Sequence, residues 1–367
     1  MPRKKRNIAF LLIFLIFIHG GCAVSSSFSK KYIAPRSESP NRYRGVFHVH
    51  SVYSHDSVAS LDFIEKTTER AGLDFAVVTD HNTLEGAGIK AQEGKSSGPT
   101  LIFGNEISTV DGHLIALGIR EPVPGDRRSQ NLIDWIHGQG GYAILAHPAG
   151  IKKPWTNWQI RGWDGMELYN FADDFYRGNK AKIILKAIFL PGKYFLSTTG
   201  QTPAESLMLW HDQLKSRSLV AFGGTNAHLR WKVGKWTPEN FLLYFRSVTT
   251  YVYADKADEK TLVRSLGEGR SFVALEAHGS AENFFFFVTT PRGIYWPGDS
   301  LTLEPSTRMS VKVPKRASIR LYLNGENIKE TTGMELHVEP EKTGRYHVEV
   351  YDGEKLWIFT NPIHIKT

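Results

Sequence analysis

The segment from Phe47 to Ser57 reads Phe-His-Val-His-Ser-Val-Tyr-Ser-His-Asp-Ser and continues an apolar stretch. Residues 44–49 have the pattern of a β-strand that runs into a histidine-rich turn. Side chains two apart on a strand point to the same side, so we expect His48 and His50 to share one face. Two imidazoles at a strand end can bind one metal ion, because histidine is a common metal ligand. A pair of exposed surface histidines is the alternative interpretation of this segment alone.

Other ionisable residues also stand at the ends of apolar runs. Asp80-His81 closes the run 76–79. A buried ionisable pair is costly unless it is paired or bound to a metal. The same placement recurs at Glu106, His113, His147, Asn226 and His228. Each could be a core or capping residue by itself, but their shared placement predicts a site with more than one metal ion.

Short apolar runs alternate with helical patterns between residues 43 and 280. The predicted strands are 44–49, 75–79, 100–104, 113–117, 142–146, 165–168 and 219–223, and the predicted helices include 61–71 and 131–139. This alternation is typical of an α/β fold with a mainly parallel sheet or barrel, in which the loops after the strands converge at one end. Because the ionisable residues follow the strands, we expect them to meet at that end.

The sequence pattern changes from about Glu282 to short strands separated by turns such as Asn324-Gly325. The predicted strands are 284–289, 308–313, 318–323, 334–338, 346–351 and 362–365. This pattern predicts a small all-β sandwich. Its histidines are scattered, so we interpret it as a non-catalytic accessory domain; they are His337, His347 and His364. The predicted organisation is a leader at 1–22, a flexible tether at 23–42, a catalytic domain at 43–280 and the sandwich at 281–367.

The single cysteine, Cys22, follows a basic stretch at 3–6 and an apolar run at 8–18. This is the plan of an export signal, and the run is shorter than the roughly 20 residues that a transmembrane helix needs. The arrangement resembles a bacterial lipoprotein cleavage site, in which Cys22 becomes the lipidated N-terminus, although His19 stands where a leucine is usual. An uncleaved membrane anchor or plain secretion is the alternative. In each case we expect the body of the protein in the cell envelope, either in the periplasm or outside the cell.

The composition limits the other partners. The 367 residues carry a formal net charge of +8, and part of this excess lies in the basic leader. No nucleic-acid motif accompanies the charge, so we do not expect a nucleic-acid partner. With one cysteine, the chain can form neither an intrachain disulfide nor a cysteine-rich metal site.

In combination, these motifs resemble the PHP (polymerase and histidinol phosphatase) metallohydrolases. The resemblance covers about residues 43–275 and rests on the order His48-x-His50, Asp80-His81, Glu106, His113, Ala146-His147-Pro148 and Asn226-Ala227-His228. It implies a distorted seven-stranded β/α barrel with two or three divalent metal ions, for which Zn, Mn and Fe are candidates. The ligands that it implies are His48, His50, Asp56, His81, Glu106, His113, His147, Asn226 and His228, with His55 as the alternate to Asp56. The C-terminal tail resembles that of the carbaryl hydrolase-like branch, which implies hydrolysis of esters, carbamates or phosphoesters.

One position departs from the family pattern. The usual Gly-Ser-Asp-Ala-His reads Gly224-Thr225-Asn226-Ala227-His228. Asparagine can bind a metal through its carbonyl oxygen, but it brings no charge and is a poor general base. We therefore expect one metal position to be weaker than in the family.

The expected chemistry is hydrolysis by a metal-bound hydroxide that attacks phosphorus or a carbonyl carbon. His228 or His113 could transfer protons if it is not a ligand. Asp80 is expected to orient His81 from outside the ligand set.

The substrate is open. Lys152 and Arg230 could hold an anionic substrate, with solvated surface charges as the alternative. A phosphoesterase acting on a small phosphate ester is the first hypothesis. An amide, ester or carbamate hydrolase using the same metals is the second, and a non-catalytic, metal-containing cell-surface binding protein is the third.

Overall fold

The computed structural model describes residues 40–93, 97–173, 202–230 and 241–367. The chain divides into the units Met1–Ala34 and Pro35–Thr367, and all the described residues belong to the second. The predicted leader with Cys22 and most of the predicted tether lie outside the described residues. Within the described part of the chain, no helix is both long enough and apolar enough to cross a membrane.

Strands and helices alternate through the first part of the described chain. The strands are β1 Arg42–Val49, β2 Phe75–Val78, β3 Thr100–Ser108, β4 His113–Leu117, β5 Tyr142–Ala146, β6 Gly165–Asn170, β7 Val220–Gly224, β8 Val248–Tyr253 and β9 Ser271–Leu275. The helices are α1 Leu61–Ala71, α2 Glu85–Glu93, α3 Ser129–Gly138, α4 Ala204–Ser216, α5 Phe241–Phe245, α6 Glu259–Gly267 and the 3₁₀-helix Glu276–His278. Each strand and helix predicted between residues 44 and 223 is confirmed, with its ends shifted by a few residues at most.

The first seven strands form a succession of paired neighbours. β1, β2 and β3 pair in parallel, as do β5, β6 and β7, whereas β4 is antiparallel to both β3 and β5. A short connection joins β3 to β4, and such connections join antiparallel strands. After β7 the chain returns to β1, where the N–H of Thr225 donates to the carbonyl oxygen of Phe47 at 2.9 Å. β8 pairs with β1 and β9 pairs with β8, both in antiparallel order, so the sheet is mixed.

Helix α1 shows how local sequence sets these connections. The Ser60 hydroxyl accepts a hydrogen bond from the N–H of Phe63 at 3.2 Å, and such an N-cap contributes about 1 kcal/mol. Gly72 ends the helix with φ 74, a left-handed conformation that glycine adopts at little cost. The helix buries Ile64 and Thr68 against the sheet. The capped helix thereby returns the chain so that β2 lies parallel to β1 and their C-terminal ends lie side by side.

The C-terminal region consists of strands. They are β10 Phe285–Thr290, β11 Gly293–Tyr295, β12 Ser300–Thr302, β13 Arg308–Leu323, β14 Glu326–Val338, β15 Gly344–Asp352, β16 Lys355–Thr360 and β17 Ile363–Lys366. The predicted strands 308–313 and 318–323 are two halves of β13, whose pairing with β14 shifts register between Lys312 and Ala317. The predicted turn between β13 and β14 is confirmed, because Asn324 and Gly325 both have positive φ, as a type I′ turn requires.

The sheet and its core continue across the predicted domain boundary at residue 280. β16 pairs with β9 in antiparallel order. One cluster of buried residues combines Tyr251 of β8 and Phe272 of β9 with Trp357 of β16. The C-terminal strands therefore pack directly on β8 and β9, and the boundary itself stays a prediction.

Candidate metal centre

The buried carboxylate of Glu106, on β3, lies at the centre of the histidine cluster. Its Oε2 is 3.1 Å from Nε2 of His48, 3.2 Å from Nε2 of His50 and 3.5 Å from Nδ1 of His81. Its Oε1 is 2.7 Å from Nδ1 of His113 and 2.9 Å from Nε2 of His147. The two oxygens therefore face two different sets of imidazoles.

The sheet positions these side chains. Ser108, two residues after Glu106 on β3, is opposite His113 of β4. His113 is in turn opposite Ala146, so His147 follows directly at the end of β5. An isolated parallel bridge joins His81 to Glu106. The strand ends thus bring together residues that are far apart in sequence.

A second carboxylate extends the cluster. Oδ2 of Asp56 is 2.9 Å from Nε2 of His228 and 3.6 Å from Nε2 of His81. The Ser54 hydroxyl donates a hydrogen bond to Oδ1 of Asp56 at 2.9 Å and holds the carboxylate in place. His55, the alternate to Asp56, is exposed, with its ring centroid 5.0 Å from that of His81. The structure thus brings the Asp56 carboxylate to the imidazoles and leaves His55 at the margin.

Three residues of the cluster have left-handed backbone conformations. φ is 67 at His48, 33 at His147 and 47 at Asn226. Such values are uncommon outside glycine, and they concentrate at functional sites where the surroundings hold the strain. The pairing of β1 with β2 also shifts register between Val46 and Val49. Both imidazoles do face Glu106, as expected. The reason given for this, regular strand alternation from His48 to His50, was wrong, because the backbone at His48 is not in a strand conformation.

The unpartnered atoms of the cluster fit metal ions. Oδ1 of Asn226 is buried without a hydrogen-bond partner among the described residues. Nε2 of His50, Nδ1 of His81 and Nε2 of His228 face the Glu106 or Asp56 carboxylate at 3.2, 3.5 and 2.9 Å but make no well-aligned hydrogen bond among the described residues. Burying such atoms unpaired is costly, and a cation would satisfy them. Candidate ligand atoms lie within 4.8 Å of one another in three overlapping groups: His50, Asp56, His81 and His228; His48, His50 and Glu106; and His81, Glu106 and His113. These donors fit divalent metal ions.

The tautomer of His228 follows from its contacts. Its Nδ1 lies 2.9 Å from the backbone carbonyl oxygen of Asn226, which can only accept. Nδ1 therefore carries a proton and donates it, while Nε2 of the same ring faces Oδ2 of Asp56 at 2.9 Å. This hydrogen bond fixes the ring with Nε2, the atom available to a metal ion, directed at Asp56.

The buried imidazoles and carboxylates of the cluster shift one another's pKa values. Burial alone would lower the pKa of His48, but the carboxylates of Glu167 and Glu106 outweigh it and raise the pKa to about 10. Burial and the nearby His228 hold the pKa of His50 well below its usual value. Burial opposes ionisation of Glu106, yet the surrounding histidines, with His48 foremost, hold its pKa well below the usual range. The site is thus a buried, ionised carboxylate among imidazoles of which some are charged and others neutral.

Asp80 does not make the contact that was expected of it. Its Oδ1 accepts a hydrogen bond from the N–H of Ser51 at 2.6 Å, and its Oδ2 accepts one from the Ser51 hydroxyl at 2.5 Å. Both oxygens are therefore used to hold the turn that follows His50, not to orient the His81 ring. Ser51 and Asp80 lie close together because β1 and β2 are parallel neighbours, with Val49 opposite Val78 near their C-terminal ends.

Glu167 on β6 is a member of the site that the sequence patterns did not indicate. Its side chain is fully buried, and its Oε1 is 2.7 Å from Nδ1 of His48. Its Oε2 accepts hydrogen bonds from the N–H of His147 at 2.8 Å and from Nδ2 of Asn170 at 3.0 Å. Glu167 could have been predicted from the sequence, because it is a carboxylate within the otherwise apolar first half of this strand. The proposed substrate residues Lys152 and Arg230 are both exposed and follow segments of the site.

Comparisons with known proteins give limited similarity. No family model matches the chain. An uncharacterized protein of Methanocaldococcus jannaschii is 32% identical over 111 residues, which are 28% of this chain and 65% of that relative. The chain thus spans just under two thirds of the length of that relative.

Two solved structures are similar in part. One is a two-domain protein of Bacteroides vulgatus containing a predicted PHP-like metal-dependent phosphoesterase, with 14% identity, a TM-score of 0.46, and coverage of 90% of this chain and 100% of that one. The other is an amidohydrolase of Chromobacterium violaceum, with 14% identity, a TM-score of 0.33, and coverage of 50% of this chain and 87% of that one. Similarity at this level does not assign an activity to the chain.

Proposed function

We propose that this chain is a metal-dependent hydrolase that acts on a small phosphate ester. The observation that carries the proposal is the Glu106 carboxylate, whose two oxygens face two separate sets of imidazoles. A buried carboxylate shared in this way is suited to hold two divalent ions a short distance apart. Bound there, such ions would lower the pKa of a coordinated water and stabilise negative charge on the reacting group.

Different residues of the cluster would bind the different ions. His48 and His50 would bind on the Oε2 side of Glu106, and His113 and His147 on its Oε1 side. His81, Asp56 and His228 would supply a further position. Asn226 would add a neutral oxygen through Oδ1, which is buried and unpartnered among the described residues. The metal identity, among Zn, Mn and Fe, follows from neither the donor types nor their geometry.

The charge of the site supports an anionic substrate. The proposed ligands include two carboxylates, Glu106 and Asp56, while the imidazoles and the Asn226 amide bring no negative charge. Two divalent ions would bring four positive charges, one more than these two carboxylates and the buried Glu167 beside His48 carry together. A site with excess positive charge attracts a phosphate ester more strongly than a neutral carbamate or carboxyl ester.

The proposal includes the fold that the sequence resemblance implied. The return of the chain from β7 to β1 supports a distorted seven-stranded barrel within residues 43–280. The mainly antiparallel pairing of β10 to β17 supports a sandwich within residues 281–367. Membership of the carbaryl hydrolase-like branch rests on the tail sequence alone and stays a prediction.

A metal and substrate screen tests the proposed activity. Full-length protein would be loaded with Mn, Zn or Fe, its metal content measured, and its hydrolysis of phosphate monoesters, phosphate diesters, carboxyl esters and carbamates compared. We expect at least two ions per chain and turnover of a phosphate ester. Glu106→Gln should lose the ions held at the Glu106 centre and the activity together, while His337→Ala, at an exposed histidine of β14, should change neither.

The other outcomes distinguish the alternatives. Turnover of carboxyl esters or carbamates without any phosphate ester would favour the second hypothesis. Fewer than one ion per chain, with no turnover in any class, would overturn both enzyme hypotheses and leave the binding protein.

We also propose that the chain is exported and anchored through a lipid on Cys22. The basic residues 3–6, the apolar run 8–18 and the position of Cys22 support this proposal. Metabolic labelling with radioactive palmitate should mark the wild-type protein and not Cys22→Ser. Equal labelling of both proteins, or labelling of neither, would contradict it.

A further inference from the structure

A second group of possible metal ligands lies outside the Glu106 cluster. Nε2 of His211, on α4, is 2.6 Å from Oε1 of Glu349, on β15. Nε2 of His347, two residues earlier on β15, is 3.6 Å from the same oxygen. His347 and Glu349 have no exposed side-chain surface, whereas the side chain of His211 is 18% exposed. His347 is one of the scattered histidines of the C-terminal region in sequence, but the packing of β15 on α4 brings it next to His211.

His347 has an unusual environment for a buried histidine. Neither of its ring nitrogens has a hydrogen-bond partner among the described residues. Aromatic rings enclose it, with the Tyr322 centroid at 4.7 Å and the Trp210 centroid at 4.4 Å. Buried polar atoms normally have partners, so an imidazole with two unpaired nitrogens requires an explanation.

We propose that His211, His347 and Glu349 bind one zinc-like divalent cation that fastens α4 to β15. Two imidazoles and a carboxylate are a ligand set that zinc accepts, with ligand distances of about 2.0–2.2 Å. Ligands at that distance in tetrahedral geometry are about 3.3 Å apart. The separations of 2.6 and 3.6 Å from Glu349 Oε1 lie on either side of this value, so small side-chain movements suffice.

The surrounding contacts leave one oxygen of Glu349 and a path from the surface for an ion. The Tyr351 hydroxyl donates to Oε2 of Glu349 at 2.6 Å, which leaves Oε1 to face the histidines. Arg345 of β15 donates from Nε to the carbonyl oxygen of Leu214 on α4 at 2.8 Å, so the two elements meet independently of the ion. The partly exposed His211 gives an ion a route from the surface.

A hydrogen-bonded group without metal is the competing explanation. In that case His211, Glu349 and Tyr351 form a buried ion pair with a tyrosine attached to it. This explains the carboxylate but leaves Nε2 of His347 3.6 Å from Oε1, beyond hydrogen-bonding distance, whereas a cation would engage all three side chains.

His347→Phe separates the two explanations, because phenylalanine keeps an aromatic ring beside Tyr322 and Trp210 and removes both nitrogens. In full-length protein stripped with EDTA and titrated with Zn²⁺, we expect His347→Phe to bind one ion fewer per chain than the wild type. We also expect Zn²⁺ to raise the unfolding temperature of the wild type more than that of the variant. His337→Phe, at an exposed histidine, should match the wild type in both measurements.

Equal zinc stoichiometry in the wild type and His347→Phe would overturn the proposal, as would an equal zinc-dependent rise in unfolding temperature. If His347→Phe does not fold, His211→Gln at the partly exposed ligand takes its place in both measurements. Loss of one ion in His211→Gln would then support the site, and unchanged stoichiometry would overturn it. Loss of one ion here is also distinguishable from failure of the Glu106 centre, because Glu106→Gln should leave this zinc-binding event in place.

Discussion

The buried carboxylate of Glu167 holds Nδ1 of His48 at 2.7 Å. Since Nδ1 faces Glu167, Nε2 of the same ring faces the Glu106 carboxylate at 3.1 Å. Carboxylates that bind the far nitrogen of a ligand histidine fix the ring orientation and raise its basicity. Glu167 therefore positions His48 rather than binding an ion itself.

We predict that Glu167→Gln lowers metal affinity by about 10- to 100-fold. The contacts of Glu167 with His48, with the His147 N–H and with Asn170 Nδ2 all present donors to its carboxylate. A glutamine would have to point its own NH₂ group at one of these donors. Metal titration with a chromophoric competitor measures the effect, and excess metal should restore part of any activity. Glu121→Gln, at an exposed glutamate, is the control, and equal affinities in the two variants would contradict the role of Glu167.

A second prediction concerns the close approach of Gly224 to Glu167. A Cβ added at Gly224 would lie 1.9 Å from Oε1 of Glu167 and 3.1 Å from Cβ of His48. Gly224→Ala must therefore displace the Glu167 carboxylate, and we expect it to reduce metal affinity at least as much as Glu167→Gln. The same metal titration measures this, together with thermal unfolding.

Gly88→Ala is the matched control for this substitution. No heavy atom lies within 4 Å of a Cβ at Gly88, which is inside α2. Alanine there should leave metal affinity unchanged and stabilise the protein by about 0.5–1 kcal/mol. Unchanged metal affinity in Gly224→Ala would show that the Glu167 carboxylate tolerates displacement.

Much of the centre was predictable, because its residues follow apolar runs that form strands. His81 and His147 stand after such runs, and the strand ends bring both imidazoles to the Glu106 carboxylate. The backbone conformation of His48, however, could not be predicted from the local sequence pattern. The left-handed φ of 67 at His48 depends on its surroundings in the folded site, not on the strand alternation from which its orientation was predicted.

The second candidate site, formed by His211, His347 and Glu349, could not be predicted from sequence patterns. His211 is on a helix and His347 on a strand far along the chain, and neither is in a recognisable metal-binding spacing. Their proximity depends on how β15 packs against α4, a tertiary contact with no local signature. The hydrogen bonds between Asp80 and Ser51 could not be predicted either, because they depend on how β1 aligns with β2.

A third prediction concerns the charge at Asn226. Its φ of 47 is a conformation that asparagine and aspartate both tolerate, so Asn226→Asp should fold. The added carboxylate should increase metal affinity by about tenfold, equivalent to about 1.4 kcal/mol. It should also reduce the excess positive charge and raise the KM for a phosphate ester. Metal competition and steady-state kinetics measure the two effects.

Asn324→Asp is the control for this charge change. Asn324 also has a left-handed φ, 51, but lies in the turn between β13 and β14. It should leave metal affinity and KM unchanged. If Asn226→Asp behaves in the same way, the Asn226 side chain takes no part in metal binding.

The fourth prediction concerns the pH dependence of stability through Glu276. The Tyr251 hydroxyl donates to its Oε1 at 2.6 Å, and burial raises the pKa of this carboxyl to about 7 from the ordinary 4.5. Between these two values the folded protein keeps a proton that the unfolded chain has released. The folded state therefore binds more protons than the unfolded one, and the free energy of unfolding contributed by this group falls as pH rises from about 4.5 to 7. Above pH 7 both states have released the proton and the contribution is constant.

Glu276→Gln isolates this effect, because glutamine remains neutral at every pH. Urea denaturation of both proteins at pH 5, 6, 7 and 8 should show the wild type losing stability relative to the variant, by at most about 3 kcal/mol over the interval. Contributions from the metal centre are common to both proteins and cancel in the difference. A difference that does not change with pH would mean that Glu276 ionises at the same pH in the folded and unfolded chains, and a wild type that gains relative stability with rising pH would reverse the sign of its pKa shift.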